Sequence, residues 1–264
     1  MSGEWLYGTN QWLISAVLMS LLVLAAQVGY WAGTRPVFTL SDGGKSHLST
    51  IFGGILGLLA LLLGFTFAMS LSRYDHRKQL VTVEANALGT AYLRSQLLPE
   101  PEKKEIADLL RKYVDVRLEF FQAGIDDSNL ERVSAETKHL QDQIWSRLSS
   151  AVAKDDREVT TGMFLESINE VFDLQNARQS AMDNHVPESV LILLMLVAFI
   201  AVLSVGYGAG LGKYRHMFST MMLVVLLVLV ISTIMDLDRP RRGLIKISQA
   251  SMLRLQSTLH QDVR

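Results

Sequence analysis

The chain has 264 residues, and its 25 lysine and arginine side chains nearly balance 26 aspartate and glutamate side chains, for a formal net charge of −1. This balance gives no electrostatic reason to expect a nucleic-acid partner. Because the sequence contains no cysteine, it excludes disulfides, thiolate metal sites and a cysteine nucleophile.

Four long apolar runs dominate the chain, and none has a charged residue in its interior. Each approaches the roughly 20 residues that cross a bilayer core. A helix at the surface of a soluble protein would show a polar face, which these runs lack. We therefore predict an all-α integral membrane protein with four transmembrane helices, at 12–31, 49–71, 189–212 and 217–235.

The segment between the second and third runs is polar and shows helical rather than strand-like periodicity. We predict a cytoplasmic helical bundle inserted there and continuous with the second membrane helix, which no proline interrupts before Pro99. The predicted organisation is a first membrane helix pair at 1–72, the bundle at 73–186, a second pair at 187–237 and a basic cytoplasmic tail at 238–264.

Lysine and arginine near the membrane ends predict the orientation, because cytoplasmic loops carry more of them. Four spans place the bundle and both termini on one side, and eight basic residues lie there: Arg73, Arg77, Lys78, Arg178, Arg239, Arg241, Arg242 and Lys246. The other side has four: Arg35, Lys45, Lys213 and Arg215. We therefore predict a multi-pass protein of the bacterial inner (plasma) membrane, with the central domain and both termini cytoplasmic.

The second span has two distinct faces when its residues are placed at 100° intervals. One face is small and predicts close helix packing at Gly53, Gly57 and Gly64. The opposite face is apolar within the membrane and charged beyond it, at Ile55, Leu62, Thr66, Met69, Arg73 and Arg77. Either this stripe faces lipid, with its charges on the bundle surface, or several subunits surround an axis and it lines a pore.

Polar residues also interrupt the apolar pattern of the first soluble helix, at Glu84, Asn86 and Arg94. Buried polar groups need partners, and Arg178, Arg111 or Arg117 could pair with Glu84. We interpret the set Glu84, Asn86, Arg94 and Arg178 as a buried polar network rather than a ligand site.

No catalytic constellation is recognisable in the sequence, and we expect no cofactor and no bound metal. The six histidines are scattered without metal-ligand spacing. The glycine-rich stretch GYGAGLGKY (206–214) does not match a phosphate-binding loop, because Tyr214 follows Lys213 where serine or threonine must bind magnesium. Close helix packing is the better interpretation of its glycines.

Four stretches strongly resemble the bacterial bestrophin-like domain family, whose function is undefined, and the resemblance covers roughly residues 50–255. They are LGFTFAMSLSRYDHRKQLVTVEANALGTAYLRSQLLPEP, RKYVDVRL, INEVFDLQNARQ and DLDRPRRGLIKISQASMLRLQ. The layout is more distantly similar to the bestrophins, which are pentameric ion channels with a pore lined by the second membrane helix. The sequence lacks the acidic run that clasps calcium in animal bestrophins.

These observations predict an oligomeric inner-membrane ion channel of bestrophin-like type. The resemblance implies a pentameric homo-oligomer, with the lipid bilayer and inorganic ions as its other partners. The alternative is a non-conducting membrane scaffold or sensor whose cytoplasmic bundle binds a partner. Oligomeric state discriminates the two, because a symmetric ring favours the channel.

Overall fold

The computed structural model describes residues 9–35, 42–122, 127–154, 161–212, 217–240 and 243–261. The secondary structure in these ranges is helical, without strands. In chain order the helices are α1 (Gln11–Gly33), α2 (Asp42–Ser95), α3 (Glu102–Gln122), α4 (Asp127–Lys154), α5 (Met163–Asp183), α6 (Glu188–Leu211), α7 (Met217–Leu237) and α8 (Ala250–Gln261). The all-α prediction is therefore confirmed.

Four helical stretches are long and apolar enough to cross a membrane: Gln11–Gly33, Ser46–Ser95, Met163–Leu211 and Met217–Leu237. Each overlaps one of the four apolar runs predicted from the sequence. The second belongs to α2, a single helix of 54 residues, which is roughly 80 Å long at 1.5 Å per residue. One uninterrupted helix thus joins the apolar run at 49–71 to the polar residues that follow it.

The chain divides into two compact units, and α2 contributes to both. Unit 1 comprises Met1–Ser72 and His185–Arg239, and unit 2 comprises Arg73–Asn184 and Pro240–Arg264. The sequence treats 238–264 as a separate tail. In the structure the described part of that segment instead contains α8, which belongs to unit 2. Arg241, Arg242, Lys213 and Arg215 lie outside the described residues, as does the side chain of Lys45.

Within unit 1, α1 and α6 approach each other so closely that their backbones touch. A Cβ atom added at Gly206 would collide with the carbonyl oxygen of Ala26, and one added at Gly29 with that of Leu203. Gly33 and Gly210 are equally confined by backbone atoms of the opposite helix. Small residues permit this approach in membrane helices, and the packing predicted for the glycines of 206–214 is confirmed at two of them.

Polar side chains fasten the ends of the apolar helices in unit 1. The backbone N–H of Val186, ahead of α6, donates to Asp238 Oδ2 at 2.6 Å. The adjacent Arg239 donates from Nη1 to the carbonyl oxygen of Thr9, ahead of α1, at 3.0 Å. Asp238 and Arg239 are almost fully buried, so the residues after α7 tie down the starts of two other helices.

Unit 2 has its own apolar core, formed by the second half of α2 with α3, α4, α5 and α8. Ile144 and Leu148 of α4 and Phe164 and Ile168 of α5 are buried in it. The last helix is held by Arg111 Nε, which donates to the Leu259 carbonyl oxygen at 3.0 Å. Helices α3, α4, α5 and α8 thus share one core with the second half of α2.

Candidate functional site

The apolar part of α2 has one face inside unit 1 and one face that nothing in the described chain covers. Leu59 and Thr66 lie on the inner face, with 2% and 3% of their surfaces exposed. On the opposite face Leu61 is 54% exposed. Apart from the neighbouring residues of α2 itself, no heavy atom of the described residues lies within 4 Å of a Cβ atom added at Gly57 or Gly64.

This arrangement corrects the predicted pore stripe. Thr66 is buried, and its Oγ1 donates to the Leu62 carbonyl oxygen at 2.7 Å. Ile55, Leu62 and Met69 pack against the core of unit 1. Within the subunit Thr66 is therefore enclosed, with no surface left to line a channel, whereas Ile55, Leu62 and Met69 are half-buried against the core.

The two arginines assigned to a charged vestibule have a structural role in unit 2. Arg77 is buried and donates from Nε to the Ala181 carbonyl oxygen at 2.8 Å and from Nη2 to that of Asn184 at 2.9 Å. Arg73 donates from Nη1 to the same Asn184 oxygen, also at 2.9 Å. The last carbonyls of a helix lack partners within it, so both guanidinium groups cap the C-terminal end of α5. The vestibule prediction for Arg77 is therefore corrected.

The glycines assigned to helix packing occupy the uncovered face instead. Gly53, Gly57 and Gly64 are exposed, and a Cβ atom added at any of them would meet no other helix among the described residues. Packing against another subunit stays a prediction for them. The sequence assigns the glycine face of α2 to helix packing and the opposite stripe to lipid or a pore. Within the described subunit the stripe packs against the core and the glycine face is uncovered.

The uncovered face continues as a polar surface after the apolar run ends. At 100° per residue, Ser72, Asp75 and Gln79 follow the direction of Leu61 and Ala68 along α2, and these five side chains are exposed. Among the residues of α2 between 72 and 86 that lie on this face, Asp75 carries a charge. The face is thus apolar over 53–68 and mildly acidic beyond it.

A cluster of three buried charges lies deeper in unit 2, about 20 Å along α2 from the end of the apolar run. Arg117 Nε of α3 donates to Glu84 Oε1 at 2.8 Å, and Arg178 of α5 donates to Glu84 Oε2. Glu84 is 0% exposed and both arginines are nearly as buried. Burial alone would raise the pKa of Glu84, but the two guanidinium groups outweigh it, and the pKa lies below its ordinary value.

Neighbouring groups extend this cluster to the other helices of the bundle. The Arg178 guanidinium stacks over the Phe121 ring at 4.2 Å, and its Nη2 donates to Gln249 Oε1 at 3.2 Å, just ahead of α8. Burial also raises the pKa of the Tyr113 hydroxyl to about 12. The cluster thus joins α2, α3, α5 and the segment that precedes α8.

The sequence and the fold were compared with those of known proteins. A family model for the bestrophin-like domain matches residues 20–252. The chain belongs to the bestrophin-like domain family. Sequence comparison with curated proteins gives no match.

Solved structures of bacterial bestrophin homologues from Klebsiella pneumoniae share the fold. One is 15% identical with a TM-score of 0.68, covering 94% of this chain and 96% of that chain. A variant of the homologue with a single substitution is 14% identical with a TM-score of 0.70, covering 96% and 98%. A second such variant is 15% identical with a TM-score of 0.68, covering 97% and 99%. Bestrophins are ion channels rather than enzymes.

The structure of this bestrophin-like chain brings together part of the polar network predicted from sequence. Glu84 and Arg178 meet, with Arg117 as the second partner of Glu84. Asn86 is exposed, and Arg94 Nη1 donates to the Met163 carbonyl oxygen at 2.8 Å, so neither belongs to the cluster. Arg111, the third possible partner of Glu84, instead donates hydrogen bonds to Asp108 Oδ1 and Tyr92 Oη.

One sequence signal could have distinguished the faces of α2. Leu59, Thr66, Arg77 and Glu84 are spaced by multiples of about one helical turn and share a direction. Glu84 must be buried with partners if it belongs to a bundle core, so its direction marks the inner face of the whole helix. Followed back into the apolar run, that direction reaches Thr66.

Within the described residues, no group of three or more His, Asp or Glu side chains is arranged to hold a metal.

Proposed function

We propose that the protein is an oligomeric ion channel of the bacterial inner membrane, with α2 lining a pore between subunits. The observation that carries this proposal is the uncovered face of α2. Four membrane-type helices and the bestrophin-like family place the chain among membrane proteins.

A route for ions through the described part of a single subunit finds no support, because the core of unit 1 is filled. Leu22, Leu59, Leu191 and Ile231 are almost completely buried in one apolar cluster. Membrane spans must satisfy their backbone polar groups internally and leave no wet path through a packed apolar core. An ion path therefore requires several chains around an axis, each contributing its uncovered face.

The chemistry of the uncovered face suits a narrow apolar neck. Its small residues, Gly57, Gly64 and Ala68, let helices approach an axis closely. Leu61 lies at the centre of this sector, and the larger Phe65, 66% exposed, lies about 40° to one side of it. Apolar constrictions gate by excluding water, so we assign Leu61 as the principal gate residue.

The polar continuation of this face suggests which ions pass. Asp75 would place one carboxylate per subunit around the mouth of the pore. A ring of like charges in a confined space raises the local concentration of counter-ions. We therefore propose a preference for cations rather than anions.

The orientation is part of the same proposal. Eight basic residues against four place unit 2 in the cytoplasm by the positive-inside rule, with the membrane pairs and bundle divided near residues 72 and 186. A single cysteine at Ser128 in this cysteine-free chain should resist an impermeant thiol reagent applied to intact cells. Labelling from outside would overturn the orientation.

Ion flux through liposomes tests the channel itself. We expect the wild type to form a symmetric oligomer in detergent and to conduct, and Leu61→Ser to conduct more because a polar neck is easier to hydrate. Thr66→Ser, which changes the buried face, is the matched control and should conduct as the wild type does. A protein that is monomeric or dimeric, or no more permeable than empty liposomes, would favour the scaffold alternative.

A further inference from the structure

A groove of about 320 Å³ lies in unit 2 where α2 leaves the apolar run. Its lining is contributed by α2 and by the C-terminal end of α5: Arg73, His76, Ala177, Ser180, Ala181 and Asn184. Neither the buried charge cluster nor the proposed pore face uses these side chains.

Four of the six residues that line the groove have polar side chains: Arg73, His76, Ser180 and Asn184. Arg73 uses Nη1 for both of its hydrogen bonds, to the carbonyl and side-chain oxygens of Asn184, and Nη2 has no partner among the described residues. The Asn184 amide nitrogen, the Ser180 hydroxyl and the His76 ring add further polar groups. Such a set suits a ligand with several acceptor oxygens and no donor.

The groove also contains the positive charge of Arg73. Its hydrogen-bond partner is the neutral Asn184, and it makes no ion pair with a carboxylate in the described part of the chain. The C-terminal end of α5 contributes about half a negative charge through its helix dipole, which the full positive charge of Arg73 exceeds. An anion would therefore gain charge-assisted hydrogen bonds in this groove.

The position of Arg73 indicates the source of that anion. It follows Leu71, the last residue of the apolar run, by two positions, or about 3 Å along the helix axis. Side chains at this height lie at the level of lipid headgroups if the run crosses the bilayer. Basic pockets at this level of membrane proteins bind anionic headgroups.

We propose that this groove binds the phosphate group of an acidic phospholipid. Arg73 supplies the charge and a free Nη2 donor, and Ser180, Asn184 and His76 supply the remaining hydrogen bonds. Bound there, the lipid would bridge α2 and the end of α5 through the arginine that already joins them. The proposal does not depend on ion conduction.

Titration of the detergent-solubilised full chain with soluble short-chain lipids tests the site. We expect phosphatidylglycerol to bind more tightly than phosphatidylcholine of the same chain length. Ser180→Asp should weaken phosphatidylglycerol binding on the order of tenfold by placing a like charge beside the phosphate. Lys78→Gln lowers the net charge by the same amount on another face of α2 and should leave binding unchanged. Both positions are exposed.

Three results would overturn the proposal. Equal weakening by Ser180→Asp and Lys78→Gln would reduce the effect to general surface charge. Inorganic phosphate that binds as tightly as phosphatidylglycerol and displaces it would make the occupant a free anion. A change of oligomeric state in Ser180→Asp would make the groove a subunit contact. Ala177→Asp, at a second exposed position in the lining, replaces Ser180→Asp if that variant does not fold.

Discussion

Gly206 and Gly57 have the same sequence signature, a glycine in an apolar helix with further small residues one turn away, but opposite surroundings. Gly206 of α6 is closed by the backbone of α1, whereas the space around Gly57 of α2 is open in the described chain. The difference lies in the partner. α1 offers a matching pair, Gly29 and Gly33, to the pair on α6, and α2 has no such counterpart in the described part of its own subunit. A small-residue stripe packs where a second stripe is available and otherwise leaves a surface for another chain or a pore.

The largest expected effect comes from leucine at these two glycines. Gly206→Leu should give no folded subunit, because the side chain collides with backbone atoms that cannot rotate away. Gly57→Leu should leave the helix content and the yield of folded subunit close to those of the wild type. Size-exclusion chromatography and circular dichroism in detergent measure both.

The outcome for Gly57→Leu also sharpens the comparison. If it lost the folded protein as completely as Gly206→Leu, a neighbouring subunit would have to close on α2 as tightly as α1 closes on α6. A selective loss of oligomer, with Leu58→Ile unaffected, would place the uncovered face at a subunit contact rather than at the axis.

The next largest effect concerns the buried half of α2. Glu84→Gln leaves Arg117 and Arg178 buried without a carboxylate between them, and breaking a buried ion pair in this way costs about 3–5 kcal/mol. Glu119→Gln removes an exposed carboxylate that pairs with Arg132 and should cost less than about 1 kcal/mol. Thermal unfolding midpoints compare the two variants.

Acid sensitivity checks the same cluster independently. Because the pKa of Glu84 is lower in the folded state than in the unfolded chain, its contribution is complete above the unfolded value and disappears as the pH falls through the folded value. Wild-type protein should therefore lose more stability on acidification than Glu84→Gln. Equal losses would contradict the charged state assigned to Glu84.

The two halves of α2 also explain how much of this fold could be predicted. In the polar half the apolar periodicity distinguishes core from surface, and Glu84 and Arg178 lie in the interior. In the apolar half both faces suit lipid, so periodicity carries no information on which one is covered. The sequence therefore assigns Thr66 to an open face, whereas it is buried within the subunit, because size was the remaining guide.

The features that could not be predicted from the sequence depend on contacts between distant segments. The sequence offers three arginines as possible partners of Glu84, among them Arg117. Which of them pairs with Glu84 depends on how α3 packs against α2. Asp238 and Arg239 bind residues at the starts of α6 and α1. The sequence around them shows no pattern that predicts these contacts. Such hydrogen bonds depend on tertiary positions that a single sequence does not specify.

A smaller effect is expected where the uncovered face becomes polar. Asp75→Asn should reduce the cation-to-anion permeability ratio several-fold in liposomes, because it removes a ring of charge from the mouth of the proposed pore. Asp142→Asn, an exposed carboxylate of α4, removes the same charge away from α2 and should not change the ratio. An unchanged reversal potential in Asp75→Asn would remove this residue from the ion path, whereas absent conduction would refute the channel.

The smallest change at neutral pH is expected from Tyr113→Phe in the core of unit 2. The substitution removes a hydroxyl that accepts a 3.3 Å hydrogen bond from Gln141 Nε2, worth about 1 kcal/mol. The pKa of Tyr113 is raised to about 12 in the folded state, against about 10 in an unfolded chain. The neutral hydroxyl therefore contributes stability that is complete below about pH 10 and is lost as the pH rises toward 12. The thermal midpoint of the wild type should fall more steeply over this range than that of Tyr113→Phe, so that the two curves converge. Parallel curves would mean that the hydroxyl ionises as readily in the folded protein as in the unfolded chain, and that water reaches the centre of the bundle.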